Sequence, residues 1–373
     1  MKTTRAIFRP AGIVGANSER LASRRAALRN IAAGLLGVPA MLMANRLDAA
    51  AVKDAAVKDA AAKNVCLYVG EALGRYGFGN GHPLGGDRQD AFFREARAQG
   101  LLTAVQSCAP RMATQQEIGR FHTQRHIETV RHAERDHLKF LDNGDTPVFP
   151  GVFEASAHVV GTALDGLARI MRGEIVRSLQ PIGGLHHAGR DHAAGFCVFN
   201  DLGVVIETLR SEYGVKRIAY VDIDVHHGDG IFYPFESDAD LIFADIHEDG
   251  RYLYPGTGGE DETGAGAAKG TKLNIALKPG SGDREFAQAW LRIEAHLTRL
   301  APEFVVFQCG ADGLKGDPLA HLEYSPATHA LAARSLTQIA KRFCRGRLMA
   351  FGGGGYDRGN LARAWSAVLR EIA

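Results

Sequence analysis

Only five cysteines occur in 373 residues (Cys66, Cys108, Cys197, Cys309 and Cys344), and no two are spaced as C-x-x-C. An odd number at such wide spacing offers neither a disulfide framework nor a thiolate zinc site, so the cysteines read as buried thiols. An excess of charge of one sign is also missing, with 44 Lys and Arg against 42 Asp and Glu. The near balance hides an asymmetry. Residues 1–47 hold 8 basic residues and 1 acidic, which leaves the remainder mildly acidic and gives a nucleic-acid-binding face no support. No G-K-[ST] ending follows any glycine-rich stretch, which argues against a phosphate-cradling loop. With 46% apolar and 23% charged residues, disordered and fibrous classes are excluded, and the length suffices for one large α/β core.

The chain divides into three parts. Residues 1–47 read as a twin-arginine export signal: a basic stretch reaches S-R-R-A-A-L-R with paired Arg24 and Arg25, and an uncharged, mostly apolar run over 31–43 follows. The run is too short for a membrane span, so a periplasmic protein with no stable membrane insertion after signal removal is expected. The alternative is an amphipathic N-terminal extension or a mis-assigned start on a cytoplasmic protein. Residues 48–64 repeat A-V-K-D-A twice in an alanine-rich tract with little apolar surface to bury, and read as a spacer. The catalytic domain is expected over 65–373.

Within that domain short apolar runs alternate with longer stretches of helical periodicity, the pattern of an α/β fold with helices on both faces of a parallel sheet. The clearest strands are 217–222, 241–246, 304–308 and 348–351; helices are expected at 88–99, 153–172, 286–300 and 326–342. Each clear strand runs into a segment rich in His, Asp or Gly. Such segments gather at the carboxyl ends of parallel strands, where these folds place their sites.

D-I-D-V-H-H-G-D-G (222–230) packs three Asp and two His into nine residues. Asp224 and His226 are two apart, so an extended backbone sends both to one side, as two ligands of one cation require. Asp312, ending the apolar run F-V-V-F-Q-C-G-A-D, is the best third ligand, since a buried carboxylate there otherwise lacks a partner. Two Asp and one His with an open fourth position describe a catalytic metal centre. Zinc is favoured, and oxygen-rich ligation also accommodates Fe2+ or Mn2+. Tandem His186 and His187 supply proton exchange near neutral pH, and Asp222 and Asp229 are the carboxylates left over to orient them. F-G-G-G-G-Y-D (351–357) places Tyr356 on a glycine hinge as a neutral donor to an oxyanion.

Together these motifs resemble the histone deacetylase superfamily, most closely its bacterial acetoin-utilisation members. The likeness runs from about Tyr76 to Trp365 through F-G-N-G-H-P followed by Arg88, F-H-T, D-T-P-V-F-P-G, G-G-L-H-H-A with G-F-C-V-F-N-D, D-I-D-V-H-H-G-D-G, I-H-E-D-G-R-Y-L-Y-P-G-T-G, G-A-D with D-P-L, and G-G-G-G-Y-D. The resemblance implies a single parallel sheet of about eight strands sandwiched by helices, the arginase/deacetylase fold, and zinc on Asp224, His226 and Asp312. It implies His187 as general base and acid, His186 as its electrostatic partner, Asp222 and Asp229 as supports of His186 and His187, and Tyr356 as the residue polarising the amide carbonyl. Asp145 would hold the substrate backbone at the rim, while Gly195, Phe196, Tyr254 and Leu319 would line a tube for an aliphatic side chain. A structural potassium is implied at Asp222, Asp224, His226, Asp245 and Ile246, although Asp245 stands where the family usually has serine. Tyr254 likewise replaces a usual phenylalanine.

The expected activity is therefore hydrolysis of an acetyl or related short acyl group from a lysine side chain or a similar amine, on an acetylated peptide, protein or polyamine. An arginase-like two-metal ureohydrolase is the competing enzyme reading. It typically needs an Asp two residues beyond the ligand histidine, where Gly228 stands. A non-catalytic acetyl-lysine binder would be expected to lose a ligand, the histidine pair or the tyrosine, and all are present.

Overall fold

Among the described residues eight segments become strands: β1 (Val65–Tyr68), β2 (Gln106–Cys108), β3 (Arg177–Gln180), β4 (Ile218–Asp222), β5 (Leu241–Glu248), β6 (Lys272–Leu277), β7 (Phe304–Gln308) and β8 (Leu348–Phe351). All pair in parallel, in the order β2-β1-β3-β8-β7-β4-β5-β6. The computed structural model describes residues 63–79 and 81–373, so the export-signal reading and nearly all of the spacer lie outside the described residues.

The four strands clearest in the sequence are all present, two with the expected bounds, while β4 begins one residue later and β5 runs on to Glu248. The others are short or polar, such as R-S-L-Q in β3 and Q-S-C in β2, and their pairing rather than their pattern makes them strands. Successive residues of β7 point to opposite faces, Phe304 and Val306 into one apolar core and Val305 and Phe307 into the other. This is why the run reads as continuously apolar: both sides of the sheet are covered.

Seven longer helices provide the cover: α1 (Arg88–Ala98), α2 (Gln124–His132), α3 (Val152–Met171), α4 (Asp201–Ser211), α5 (Asp283–Leu300), α6 (Pro326–Phe343) and α7 (Arg358–Ile372). Side chains of α2, α3 and α4 fill the first core, and those of α1, α5, α6 and α7 the second, around Trp290 and Trp365. Two caps set where the loops at the sheet's carboxyl end stop. Asn200 accepts the Gly203 N–H to start α4, and Asp357 accepts the Asn360 N–H to start α7 directly after Tyr356. Among the described residues no helix is long and apolar enough to cross a membrane.

One expectation is corrected. Cys66 of β1 and Cys108 of β2 form a disulfide, with Cα atoms 6.0 Å apart, while Cys197, Cys309 and Cys344 remain buried thiols. The sequence separation of 42 conceals the pairing. Only the parallel register, with Cys66 opposite Gln106, brings the two cysteines to neighbouring strands two positions apart. Protein isolated without reductant and then unfolded should titrate three thiols, rising to five after reduction; five from the outset would refute the disulfide.

Candidate active site

The loops that carry the chemical motifs follow β3, β4, β7 and β8, which are consecutive in the sheet as β3-β8-β7-β4. Inter-strand bonding continues a little past the strand ends: Gly352 N–H donates to Gln180 O, Gly353 N–H to Gly183 O, Cys309 N–H to Phe351 O and Ile223 N–H to Gln308 O. The four loops are thereby held in register at the sheet's carboxyl end.

After Asp222 the chain bends out of the strand, yet Ile223 and Val225 stay in the core, and the alternation sends Asp224 and His226 the other way. His226 Nδ1 lies 3.1 Å from Asp224 Oδ1 and 3.3 Å from Asp312 Oδ2. One ligand atom from each of Asp224, His226 and Asp312 falls within 4.8 Å of the others. Two glycines make this approach possible, because a Cβ on Gly310 would collide with the Asp224 carboxylate and one on Gly354 with that of Asp312. Asp224 Oδ2 accepts the Gln308 amide and the Gly354 N–H, both at 2.8 Å, and Asp312 Oδ1 accepts the Val225 N–H at 3.0 Å. Asp312 Oδ2 is buried and has no hydrogen-bond donor.

The electrostatics point the same way. Burial pushes the Asp312 carboxyl up to about 7, helped by the charge of Asp224. Burial opposes a charge on His226 too, but the adjoining carboxylates of Asp224 and Asp312 outweigh it and raise the imidazole to about 10. Two buried carboxylates thus demand a positive charge between them, and a divalent cation meets that demand where His226 would otherwise hold a proton.

Beside this trio, His186 Nδ1 lies 2.8 Å from Asp222 Oδ2, and His187 Nδ1 lies 2.7 Å from Asp229 Oδ1. The family resemblance implies Asp222 for His186 and Asp229 for His187, and the hydrogen bonds run between those same partners. Burial works against a charge on Asp229, but the His187 ring outweighs it and holds the carboxyl below its usual value, so Asp229 only accepts, His187 Nδ1 carries the proton and its Nε2 is left to face the site. Burial, and after it the charge of His186, lowers His187 to about 4 against the pull of Asp229. Tyr356, on the glycine loop after β8, is pushed well above the ordinary tyrosine value, first by burial and then by Asp312 and Asp224, and stays a donor. His186, His187, Asp224, His226, Gly195 and Tyr356 line one narrow cavity with Leu84, Leu185 and Cys197.

Outward from the cavity, the Phe196 ring meets that of Tyr356 edge-on at 5.9 Å, and the Tyr254 ring lies 5.0 Å from His187. Asp145 is exposed on a separate loop. Leu319 is half-buried, and its N–H donates to Asp317, whose other oxygen accepts the Tyr356 N–H at 2.8 Å. Asp245 and Ile246 end up on β5, next to β4, with Asp245 opposite Asp222. Both Asp245 oxygens are engaged: Oδ1 with His247 Nδ1 at 2.8 Å, and Oδ2 with the Gly228 N–H at 2.9 Å.

Several residues here had no role in the sequence reading. Gln308 anchors Asp224, and a polar residue ending an otherwise apolar strand was its signal. Arg88 is buried and donates to Gly353 O and Gly355 O at 2.5 and 2.9 Å, holding the glycine loop in place. Asp317 grips the Tyr356 backbone. Nothing local to Arg88 or Asp317 announces these bonds, which span 265 and 39 residues.

The histone deacetylase domain family matches residues 82–372. The chain is 35% identical over 272 residues to the acetoin utilization protein AcuC of Bacillus subtilis, covering 70% of each protein. It is 32% identical over 311 residues to the histone deacetylase RPD3 of Saccharomyces cerevisiae, covering 81% of this chain and 70% of that one. Among solved structures, the HDA15 HD domain superposes with a TM-score of 0.75 at 26% identity over 84% of this chain and 88% of that one. A parallel eight-stranded sheet with its motif-bearing loops at one end, together with a likeness that extends over nearly all of the described chain, makes this protein a member of the histone deacetylase family, a deacetylase with a buried Asp-His-Asp group able to bind a metal.

Proposed function

We propose that the protein is a zinc-dependent amidohydrolase that removes acetyl or a related short acyl group from a lysine side chain or a similar acylated amine. The observation that carries this reading is the unpartnered Asp312 Oδ2 facing His226 and Asp224 beside a carboxylate-oriented histidine. Asp224, His226 and Asp312 fit a three-residue catalytic metal set with room for a further ligand. A zinc ion there would polarise the amide carbonyl and acidify water, and Fe2+ suits the same donors.

The chain's own groups do the rest. His187, neutral near pH 7 and protonated on Nδ1, takes a proton from water on Nε2 as the water oxygen bonds to the acyl carbon. Tyr356 donates its hydroxyl proton in a hydrogen bond to the carbonyl oxygen as negative charge gathers there. His187 then returns the proton to the departing nitrogen as the C–N bond breaks, leaving a carboxylic acid and a free amine. His186, tied to Asp222, favours this final protonation by its position beside His187, the two ring centroids being 4.1 Å apart. Phe196, Tyr254, Gly195 and Leu319 form the wall for an aliphatic stem, and Asp145 receives the substrate main chain or a polyamine nitrogen at the rim. Asp222, Asp224, His226, Asp245 and Ile246 would hold a structural potassium, since each Asp245 oxygen keeps a lone pair beyond its bond to His247 or Gly228.

Acetate release from acetyl-lysine peptides and acetylated polyamines should be abolished by a chelator and restored by zinc; chelator-resistant release would overturn the metal assignment. Tyr356→Phe should lower kcat by about 10²-fold to 10³-fold with little change in KM, and near-normal turnover would reject the donor role. The pH profile provides a third test. His187 acts in its neutral form, and a lowered pKa extends that form to lower pH. The acidic limb of kcat/KM should therefore lie below the ordinary histidine value of 6.5; a limb above it would exclude His187 as the base.

For location, we infer export by the twin-arginine route, supported by the paired Arg24 and Arg25 and by the Cys66–Cys108 disulfide, a bond favoured by oxidising compartments. Replacing both arginines with lysine should shift the protein from periplasm to cytoplasm on fractionation, and an unchanged cytoplasmic distribution in both forms would favour the cytoplasmic alternative.

A further inference from the structure

Phe196 sits in a strained turn. Ala194 and Cys197 exchange two backbone hydrogen bonds, N–H to O at 3.1 and 2.8 Å, so Gly195 and Phe196 are the central pair of a two-residue hairpin. Both have positive φ, +52° and +68°. Such a turn favours glycine or asparagine at these places, and a phenylalanine there must be held by something outside the turn.

Two side chains from distant segments hold it. Thr146 Oγ1 accepts the Phe196 N–H at 3.1 Å, and the Tyr76 hydroxyl donates to Phe196 O at 2.7 Å while accepting the Val198 N–H. Thr146 is wholly buried and directly follows Asp145. Its own hydroxyl proton goes to Asp142 Oδ2 at 2.5 Å, and Asp142 Oδ1 accepts the N–H groups of Gly144, Asp145 and Thr146 at 2.8 to 2.9 Å. One carboxylate thus shapes the rim loop that presents Asp145, and one hydroxyl ties that loop to the tip of the Phe196 turn.

We propose that Thr146 is a positioning residue for substrate: through Asp142 and Phe196 it couples the rim loop to the wall of the acyl-lysine channel, and so governs how tightly and how selectively the aliphatic stem is held. The inference rests on the reading of Phe196 as channel wall and of Asp145 as rim contact. Thr146 touches no reacting atom, so its loss falls on binding rather than on the chemical step. With the hydroxyl gone, the Phe196 N–H is left without an acceptor and the turn relaxes away from its positive φ.

The test uses the full chain with Thr146→Val, which removes the hydroxyl and keeps the shape, and Thr146→Ser, which restores the hydroxyl. Thr146→Val should raise KM for an acetyl-lysine peptide about tenfold, the effect of one hydrogen bond, with kcat within about twofold. It should also narrow any preference between acetyl-lysine and the one-carbon-shorter acetyl-ornithine in the same peptide, which differ only in the stem. Thr146→Ser should remain close to the parent in both. Hydrogen exchange at the Phe196 amide, which needs no turnover, should speed up about tenfold in Thr146→Val and not in Thr146→Ser. Unchanged KM and unchanged exchange in a folded Thr146→Val protein would overturn the proposal, as would an equal fall in kcat in both variants, which marks general destabilisation. If the parent releases no acetate from any peptide, the functional reading fails, and the exchange measurement still decides whether Thr146 holds the turn.

Discussion

Four carboxylates, Asp222, Asp224, Asp245 and Asp312, stand on or just past three adjacent strands at 1% exposure or less, and satisfying their oxygens there is the constraint on which the surrounding structure depends. Unpaired, such charges would cost several kcal/mol each, enough to unfold a domain of ordinary stability. The fold answers them one by one. Tyr220 and His186 bind Asp222, the Gln308 amide and two backbone N–H groups bind Asp224, and His247 with the Gly228 N–H binds Asp245. Asp312 alone keeps an oxygen without a donor, and it faces Asp224 and His226. The place where the protein leaves its own negative charge unanswered is the place built for a cation.

The same economy separates two adjacent histidines into different tasks. His186 and His187 are chemically alike and neighbours in sequence, but one bonds a carboxylate at the end of β4 and the other a carboxylate on the following turn. His187 is kept neutral by burial among other imidazoles, as a base must be, while the neighbouring Tyr356 is kept protonated by burial among carboxylates. Neither result belongs to the residue type; each is set by what surrounds it.

The glycines of the site are there for access rather than flexibility. Gly310 and Gly354 let two backbone segments press against the carboxylates of Asp224 and Asp312, and Arg88 braces the glycine loop by its carbonyls. Tyr356 is thereby presented on a supported loop, with Asp317 fixing its backbone N–H and the next residue, Asp357, capping α7. Rigid support of this kind keeps a donor aimed without reorganisation during reaction.

Much of this was legible in the chain itself, because parallel strands buried on both faces read as apolar runs and the chemistry follows each run directly. β7 and β8 were bounded correctly for that reason, and Asp224, His226, Asp312, His186, His187 and Tyr356 could be singled out from density and spacing alone. The sequence by itself determined the residue types, the strand-to-loop junctions and the alternation that sends Asp224 and His226 to one side. Tertiary structure alone decided the rest: the pairing of Cys66 with Cys108, the bracing by Arg88, Asp317 and Gln308, and the grip of Thr146 and Tyr76 on a strained Phe196. Those relations join residues 39 to 267 positions apart, and local patterns do not encode strand order. Only once the strands stand in the order β3-β8-β7-β4 do four separate motifs become one site.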